Sequence, residues 1–211
     1  MKLLSATPSP YARKVRIALA EKGIPFELVT EVPWNEDTAT PRHNPLEKLP
    51  VLILDNGESV YESSYILEWL EHHHPEPAIY PFDADQKLAA RRLEVLADGV
   101  CDAFVLWIFE TFRAEDRRSQ PWMDRQMRKI RGGLREIDRL VPAEAEWCVG
   151  DRFGLADIAV GTVVDYLRVR CPQIAWGDDH PDLMTRLVRL SERPSFRDTV
   201  PVPQNISGNV V

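Results

Sequence analysis

Several absences narrow this sequence before any motif is read. No apolar run approaches the roughly 20 residues that a membrane-spanning helix needs, so no membrane partner is expected. The three cysteines, Cys101, Cys148 and Cys171, are odd in number and share no paired spacing. They predict no disulfide framework and a reduced, cytoplasmic setting. Positive charge is in deficit: a net charge of −7 argues against nucleic acid as the main partner. There is no internal repeat and no low-complexity tract. Met1-Lys2-Leu3-Leu4-Ser5 runs directly into a strand pattern and leaves no room for a signal peptide. What is present is a globular composition, 44% hydrophobic over 211 residues, enough for one large domain or two small ones.

The first 76 residues read β-α-β and then β-β-α. Residues 2–6 form a short apolar strand, and Thr7-Pro8-Ser9-Pro10-Tyr11 a turn. Val15, Ile17, Ala18 and Leu19 then furnish a helix that Gly23 stops. A second strand follows at 26–29, and the polar, proline-containing stretch 33–47 reads as a loop. Residues 51–54 and 59–60 flank Asn56-Gly57, a hairpin signal. A helix over about 64–74 ends at Pro75. Pro75, Pro77 and Pro81 mark a linker, placed at 77–83. Beyond it the apolar residues recur at helical spacing. Leu93, Leu96, Ala97, Val100, Phe104, Trp107 and Ile108 share one face, and Met127, Ile130, Leu134, Ile137 and Leu140 another. Residues 155–169 predict a buried helix and 183–190 a last helix closed by Pro194. The tail after Val200 is expected to lie over the surface.

Three short motifs carry the chemistry. The Ser9 hydroxyl sits at a strand-to-helix turn, where a helix N-terminus favours negative charge on a ligand. Leu49-Pro50 leads into a strand; a proline there removes a ladder hydrogen bond and leaves neighbouring backbone groups for a peptide. Glu62-Ser63 pairs a carboxylate with a hydroxyl ahead of an apolar helix with free amide donors. Each has a plain reading, as turn, ordinary X-Pro and helix cap. His72-His73-His74 is not expected to bind metal, because consecutive helical residues point about 100° apart. The basic stretch 113–135 alternates with acids and reads as a solvated face.

The order of these motifs, with Gly150-Asp151-Arg152-Phe153-Gly154-Leu155-Ala156-Asp157-Ile158-Ala159 near the end, resembles the cytosolic glutathione S-transferases, in particular their bacterial and serine-type members. The resemblance covers the whole chain. It implies an α/β thioredoxin-like N-terminal domain (1–76) that binds glutathione and an all-α helical-bundle C-terminal domain (84–211). It also implies a cis Leu49-Pro50 bond and glutathione as co-substrate, with no metal. Ser9 would donate to the glutathione sulfur, with Thr7, Ser5 and Tyr11 as alternatives. Lys48 would meet the glycine carboxylate, with Arg42 and His43 as lesser candidates, and the Leu49 backbone would pair with the cysteinyl part. Glu62 and Ser63 would hold the γ-glutamyl end. Tyr11, Phe104, Trp107 and Tyr166 would line the pocket for a small electrophilic substrate, whose identity the sequence leaves open. Conjugation and glutathione-dependent reduction both fit; the rival is a glutathione-binding or partner-binding module without turnover. No cysteine occupies the Ser9 turn. Gly154 stands where the family's usual serine or threonine caps the helix. A homodimer is expected, since Val95, Val105, Leu106 and Phe109 lie off the apolar stripe of their helix.

Overall fold

The computed structural model describes residues 1–206. In chain order its main elements are β1 (Lys2–Ser5), α1 (Pro10–Glu21), β2 (Glu27–Thr30), β3 (Val51–Ile53), β4 (Ser59–Tyr61) and α2 (Ser63–His73). They are followed by α3 (Ala84–Phe112), α4 (Gln120–Leu140), α5 (Leu155–Arg170), α6 (Pro181–Ser191) and α7 (Pro194–Arg197). The chain divides into two compact units. One is Met1–Tyr80 together with the described residues from Ser191 to 206, and the other is Pro81–Leu190. The expected boundaries put that terminal stretch among the helices of 84–211, whereas it packs with the first unit.

The first unit is built on a four-stranded mixed sheet in the order β2-β1-β3-β4. β1 runs parallel to β2 and antiparallel to β3, and β3 pairs antiparallel with β4. Alternation assigns the faces: Leu3, Leu52 and Val60 are buried on one. Leu4 and Val51 join Ala6 and Leu49 on the other, with Val29, Ile53 and Tyr61 around them. This is the thioredoxin-like arrangement that the β-α-β, β-β-α order predicts.

In α1, Val15, Ile17 and Leu19 are fully buried, each worth about 1.5–3 kcal/mol over exposure. The helix ends where Gly23 takes φ +63° and the Ile24 N–H reaches back to the Leu19 carbonyl at 2.9 Å. Only glycine adopts that backbone without strain. Lys22, at the end of α1, is buried. Its ammonium donates to the carbonyls of His74 (2.7 Å) and Pro77 (2.9 Å) and meets Glu71 Oε2 at 2.7 Å. All three ammonium hydrogens thus have acceptors. Glu71 also accepts the Ile79 and Tyr80 amides at 3.2 and 3.3 Å, so the proline-rich stretch is held to the first unit rather than left loose.

Helix α7 was not expected. Pro194 opens a helix instead of closing one, because the first helical turn needs no donor from it. Arg193 grips Glu21 of α1 with two bonds, Nε to Oε1 at 3.0 Å and Nη2 to Oε2 at 2.7 Å, and the Ser195 hydroxyl donates to the same carboxylate. Burial pushes the Glu21 pKa up, but the bonds from Arg193 and Ser195 outweigh it and the net shift is downward.

The second unit is helical. α3 and α4 approach closely at Gly133, where a Cβ would lie 2.3 Å from Val100 Cγ2. One ion pair along this hairpin joins Arg92 Nη2 to Glu136 Oε1 at 2.8 Å. In α5 every residue from Leu155 to Leu167 is buried, as its near-continuous apolar run predicts. Gly154 precedes it without a side chain to offer. Asp157, three residues on, accepts the Gly154 N–H at 3.1 Å and the Cys148 N–H at 2.9 Å. This is the returning half of a capping box. Arg186 of α6, also buried, donates to the carbonyls of Pro142, Ala145 and Glu146, each at 3.0 Å, closing the loop that leads to α5. Among the described residues no helix is long and apolar enough to cross a membrane.

Candidate functional site

The turn between β1 and α1 is closed by the Ser9 N–H, which donates to the Ala6 carbonyl at 3.1 Å. Ser9 then caps α1, its Oγ accepting the Ala12 N–H at 3.2 Å, with Pro10 as the first helical residue. Among the described residues the Ser9 hydroxyl proton has no acceptor. The neighbouring hydroxyls differ. Thr7 Oγ1 donates to the Val202 carbonyl at 2.8 Å. Ser5 is buried, its hydroxyl 3.5 Å from the Ala6 carbonyl. Tyr11 follows in the first turn of α1 and is half-buried.

The Leu49-Pro50 peptide is cis, as the resemblance implies. The loop before it is held by Asn44, which is buried. Asn44 Nδ2 donates to the Lys48 carbonyl at 2.8 Å and Oδ1 accepts the Leu46 N–H at 2.9 Å. This places Lys48 with its side chain exposed and Leu49 with its side chain in the sheet's core. Among the described residues no hydrogen bond engages the Leu49 amide. Arg42 is exposed, and His43 Nδ1 lies 3.3 Å from Ser59 Oγ.

At the start of α2 the cap read at Glu62-Ser63 falls to one of the two residues. Ser63 is the first helical residue, and Glu62 is the cap, at φ +74°. That left-handed backbone swings the Glu62 carboxylate over the helix. Oε2 accepts from the amides of Ser64 (3.1 Å) and Tyr65 (3.2 Å), and Oε1 accepts the buried Ser63 hydroxyl at 3.3 Å. Glu47, just before Lys48, is also left-handed, at φ +56°. Non-glycine residues in this region cost about 1–3 kcal/mol and cluster at ligand-holding sites. Neither positive φ was legible in the sequence, since glutamate carries no preference for it. The Asn44 brace did leave a signal: an asparagine whose side chain can reach the amide two residues on, here in Asn44-Pro45-Leu46, is an Asx-turn pattern.

In the second unit, Phe104 and Tyr166 are almost fully buried, at 0% and 5% exposure, and Trp107 is half-buried. Phe104 stacks on Trp107 with centroids 5.8 Å apart and meets Tyr166 edge-on at 5.3 Å and Trp176 at 6.2 Å. Burial pushes the Tyr166 phenol well up, so it stays neutral. These three predicted pocket residues therefore form one cluster, while Tyr11 belongs to the first unit. His73, of the histidine run, lies on the Trp69 ring with centroids 4.0 Å apart and its Nδ1 2.9 Å from the Trp69 carbonyl. The described residues hold no group of three His, Cys, Asp or Glu side chains suited to a metal ion.

A thioredoxin-like unit with a cis-proline loop and a hydroxyl-bearing helix start, and with a helical unit after it, defines a class. Comparison with known proteins makes it specific. Residues 8–73 match the glutathione S-transferase N-terminal domain and residues 120–190 the C-terminal domain of the same family. A glutathione S-transferase from Methylobacterium radiotolerans, solved with glutathione sulfonate, is 63% identical, with a TM-score of 0.97 over 100% of this chain and 99% of that one. Another from Methylobacillus flagellatus, solved with GSH bound, is 42% identical, with a TM-score of 0.90 over 95% of this chain and 99% of its own. The GST-like protein YibF of Escherichia coli K12 is 37% identical over 95% of this chain and 98% of its own length. The chain belongs to the glutathione S-transferase family.

Proposed function

We propose that this glutathione transferase activates the thiol of glutathione through Ser9 for attack on a small electrophile, or for glutathione-dependent reduction of a peroxide or mixed disulfide. The observation that carries the reading is the Ser9 hydroxyl. Its oxygen is occupied by the Ala12 amide, its proton is unclaimed among the described residues, and Thr7, the nearest rival, is committed to Val202. A donor so placed stabilises the thiolate and lowers the thiol pKa without acting as a base. The remaining contacts follow the peptide's charges. Lys48 faces the glycine carboxylate, and the Leu49 amide pairs with the cysteinyl backbone. The Ser63 amide takes the γ-glutamyl carboxylate. Glu62 takes the ammonium on the capacity left after its three bonds, since an ionised carboxylate offers about four acceptor positions. The glutathione ligands of the two bacterial relatives support this reading.

For the electrophile, Tyr11 in the first unit and Trp107 in the second each retain exposure; Phe104 stacks on Trp107, and Tyr166 meets Phe104 edge-on. The protein works as a reduced, cytoplasmic homodimer in this reading. Val95 (65% exposed), Leu106 (45%) and Phe112 (54%) on α3 supply an unpaired apolar surface. Val105 and Phe109, also expected on that surface, are half-buried. Light scattering across micromolar concentrations should give twice the single-chain mass.

The test of the site is a glutathione titration read by the ultraviolet absorbance of the thiolate. Wild type should bind glutathione with its thiol pKa lowered. Ser9→Ala should raise that pKa and cut kcat/KM by about 10²-fold, with a modest change in binding. Full activity in Ser9→Ala would sink the assignment of the donor. Glu62→Ala should weaken glutathione binding by about 1.5–3 kcal/mol in calorimetry, and an unchanged affinity would remove Glu62 from the site.

A further inference from the structure

We infer that the C-terminal tail is a strap that positions the Ser9 turn, acting through Thr7 and Arg13. The inference rests on Ser9 being the sulfur donor, and it assigns work to a segment that carries no family motif. Thr7 lies two residues before Ser9, and its side chain is turned to the tail. Its hydroxyl donates to the Val202 carbonyl at 2.8 Å, and the Val202 N–H returns a bond to the Thr7 carbonyl at 3.4 Å. This reciprocal pair joins residues 195 positions apart.

The far side of Ser9 is held by the same segment. The Arg13 N–H donates to the Ser9 carbonyl at 3.0 Å as the first full bond of α1. The Arg13 guanidinium, buried to 1% exposure, donates from Nε to Thr199 Oγ1 at 3.2 Å and from Nη2 to the Phe196 carbonyl at 3.1 Å. It also lies 5.4 Å from the centre of the Phe196 ring. The Thr199 hydroxyl is oriented in turn by donating to the Ser195 carbonyl at 2.6 Å. Further along, Gln204 Nε2 donates to the Glu31 carbonyl at 3.1 Å, just past β2, and the Glu31 N–H donates to Ser5 at the end of β1 at 2.9 Å. Residues 199–204 thus touch the first turn of α1, the Thr7 turn and the chain leaving β2. Ser9 sits between the first two.

The exposed Thr7–Val202 bond adds little to stability, because water competes for both partners. Its larger effect is on geometry. A hydroxyl that stabilises a thiolate must be held within a few tenths of an ångström, and that precision comes from supporting contacts.

The experiment compares Thr7→Val, Thr7→Ser, a chain ending at Pro201, and the Thr7→Val change in that shortened chain. Each is read as the pH profile of kcat/KM with a chloronitrobenzene probe and as glutathione affinity. Thr7→Val and the truncation should each move the profile to higher pH by about half a unit, roughly a threefold loss of thiolate below the pKa. Affinity should change less. Thr7→Ser should restore the wild-type profile, and the double change should add nothing to either single one. Profiles that stay in place while Ser9→Ala moves its own would overturn the strap alone. Loss of activity in Thr7→Val with an unmoved truncation would overturn it too, by making Thr7 a direct contact. If Ser9→Ala leaves the profile unmoved, the reading beneath it fails and the strap falls with it. Should the shortened chain not fold, the Thr7→Val and Thr7→Ser pair decides.

Discussion

The starts of α1 and α5 solve one problem in opposite ways. Each helix must satisfy amides at its N-terminus. At α1 a half-buried serine does so with one lone pair and keeps its proton available among the described residues. At α5 the cap is a glycine with no side chain to offer, and the polar group of the first turn, Asp157, turns back instead: its two oxygens are taken by the amides of the cap residue Gly154 and of Cys148. Burial raises the Asp157 pKa despite these bonds and the nearby Arg186 guanidinium. The first helix start retains polar capacity for something outside the chain; the second is closed on itself. A capping motif alone therefore does not distinguish a site from a scaffold. What distinguishes them is whether a donor or acceptor is left over.

That contrast can be broken by mutation. The largest effect should come from Asp157→Ala, which strands the buried Cys148 amide and the half-buried Gly154 amide. Urea unfolding should show a loss of about 3 kcal/mol, with glutathione affinity preserved in the folded fraction. Ser9→Ala should lose only about 1 kcal/mol in the same assay while losing most of its turnover. Equal losses of stability in the two variants would erase the distinction.

A smaller effect separates the two carboxylates that respond to acid in opposite directions. Glu21 has its folded pKa depressed, so its stabilising contribution is present above its unfolded value and is lost as pH falls through the folded value. Asp157 has its folded pKa raised, so acid relieves its burial cost first. Glu21→Gln should accordingly flatten the acid side of the stability profile by about 1 kcal/mol or less. An unchanged slope would show that Glu21 and Arg193 contribute nothing in solution. The smallest effect is Gly154→Ser. Serine should cap α5 better by a few tenths of a kcal/mol, and a loss on substitution would show that the cap backbone there has no room for it.

The strands, the cis-proline and the buried α5 were legible because they follow period, turn chemistry or a motif order. The β-α-β, β-β-α reading placed Ser9, Leu49 and Glu62 in the first unit. The cap at Glu62 was not legible, because it depends on a left-handed backbone that glutamate does not favour. The described tail does run largely over the surface, as read, with Val202 56% exposed; residues 207–211 lie outside the described residues, and what the sequence did not show is that Pro201 is buried and Val202 pairs with Thr7. Arg13 and Lys14 on α1 are both buried, which the apolar periodicity of that helix did not mark. Arg13 is accommodated by partners about 185 residues away. Hydrogen bonds between distant segments leave no periodic trace, and, beside the local cap at Glu62, the positions they hold are among those sequence reading missed.

The close approach of α3 and α4 at Gly133 ties two positions into a single volume. The space a methyl group would need at 133 is already filled by Cγ2 of Val100. Side-chain size at either position is therefore not an independent choice: an alanine at 133 calls for a smaller residue at 100, and the two substitutions should be tolerated together where the first alone wedges the hairpin apart.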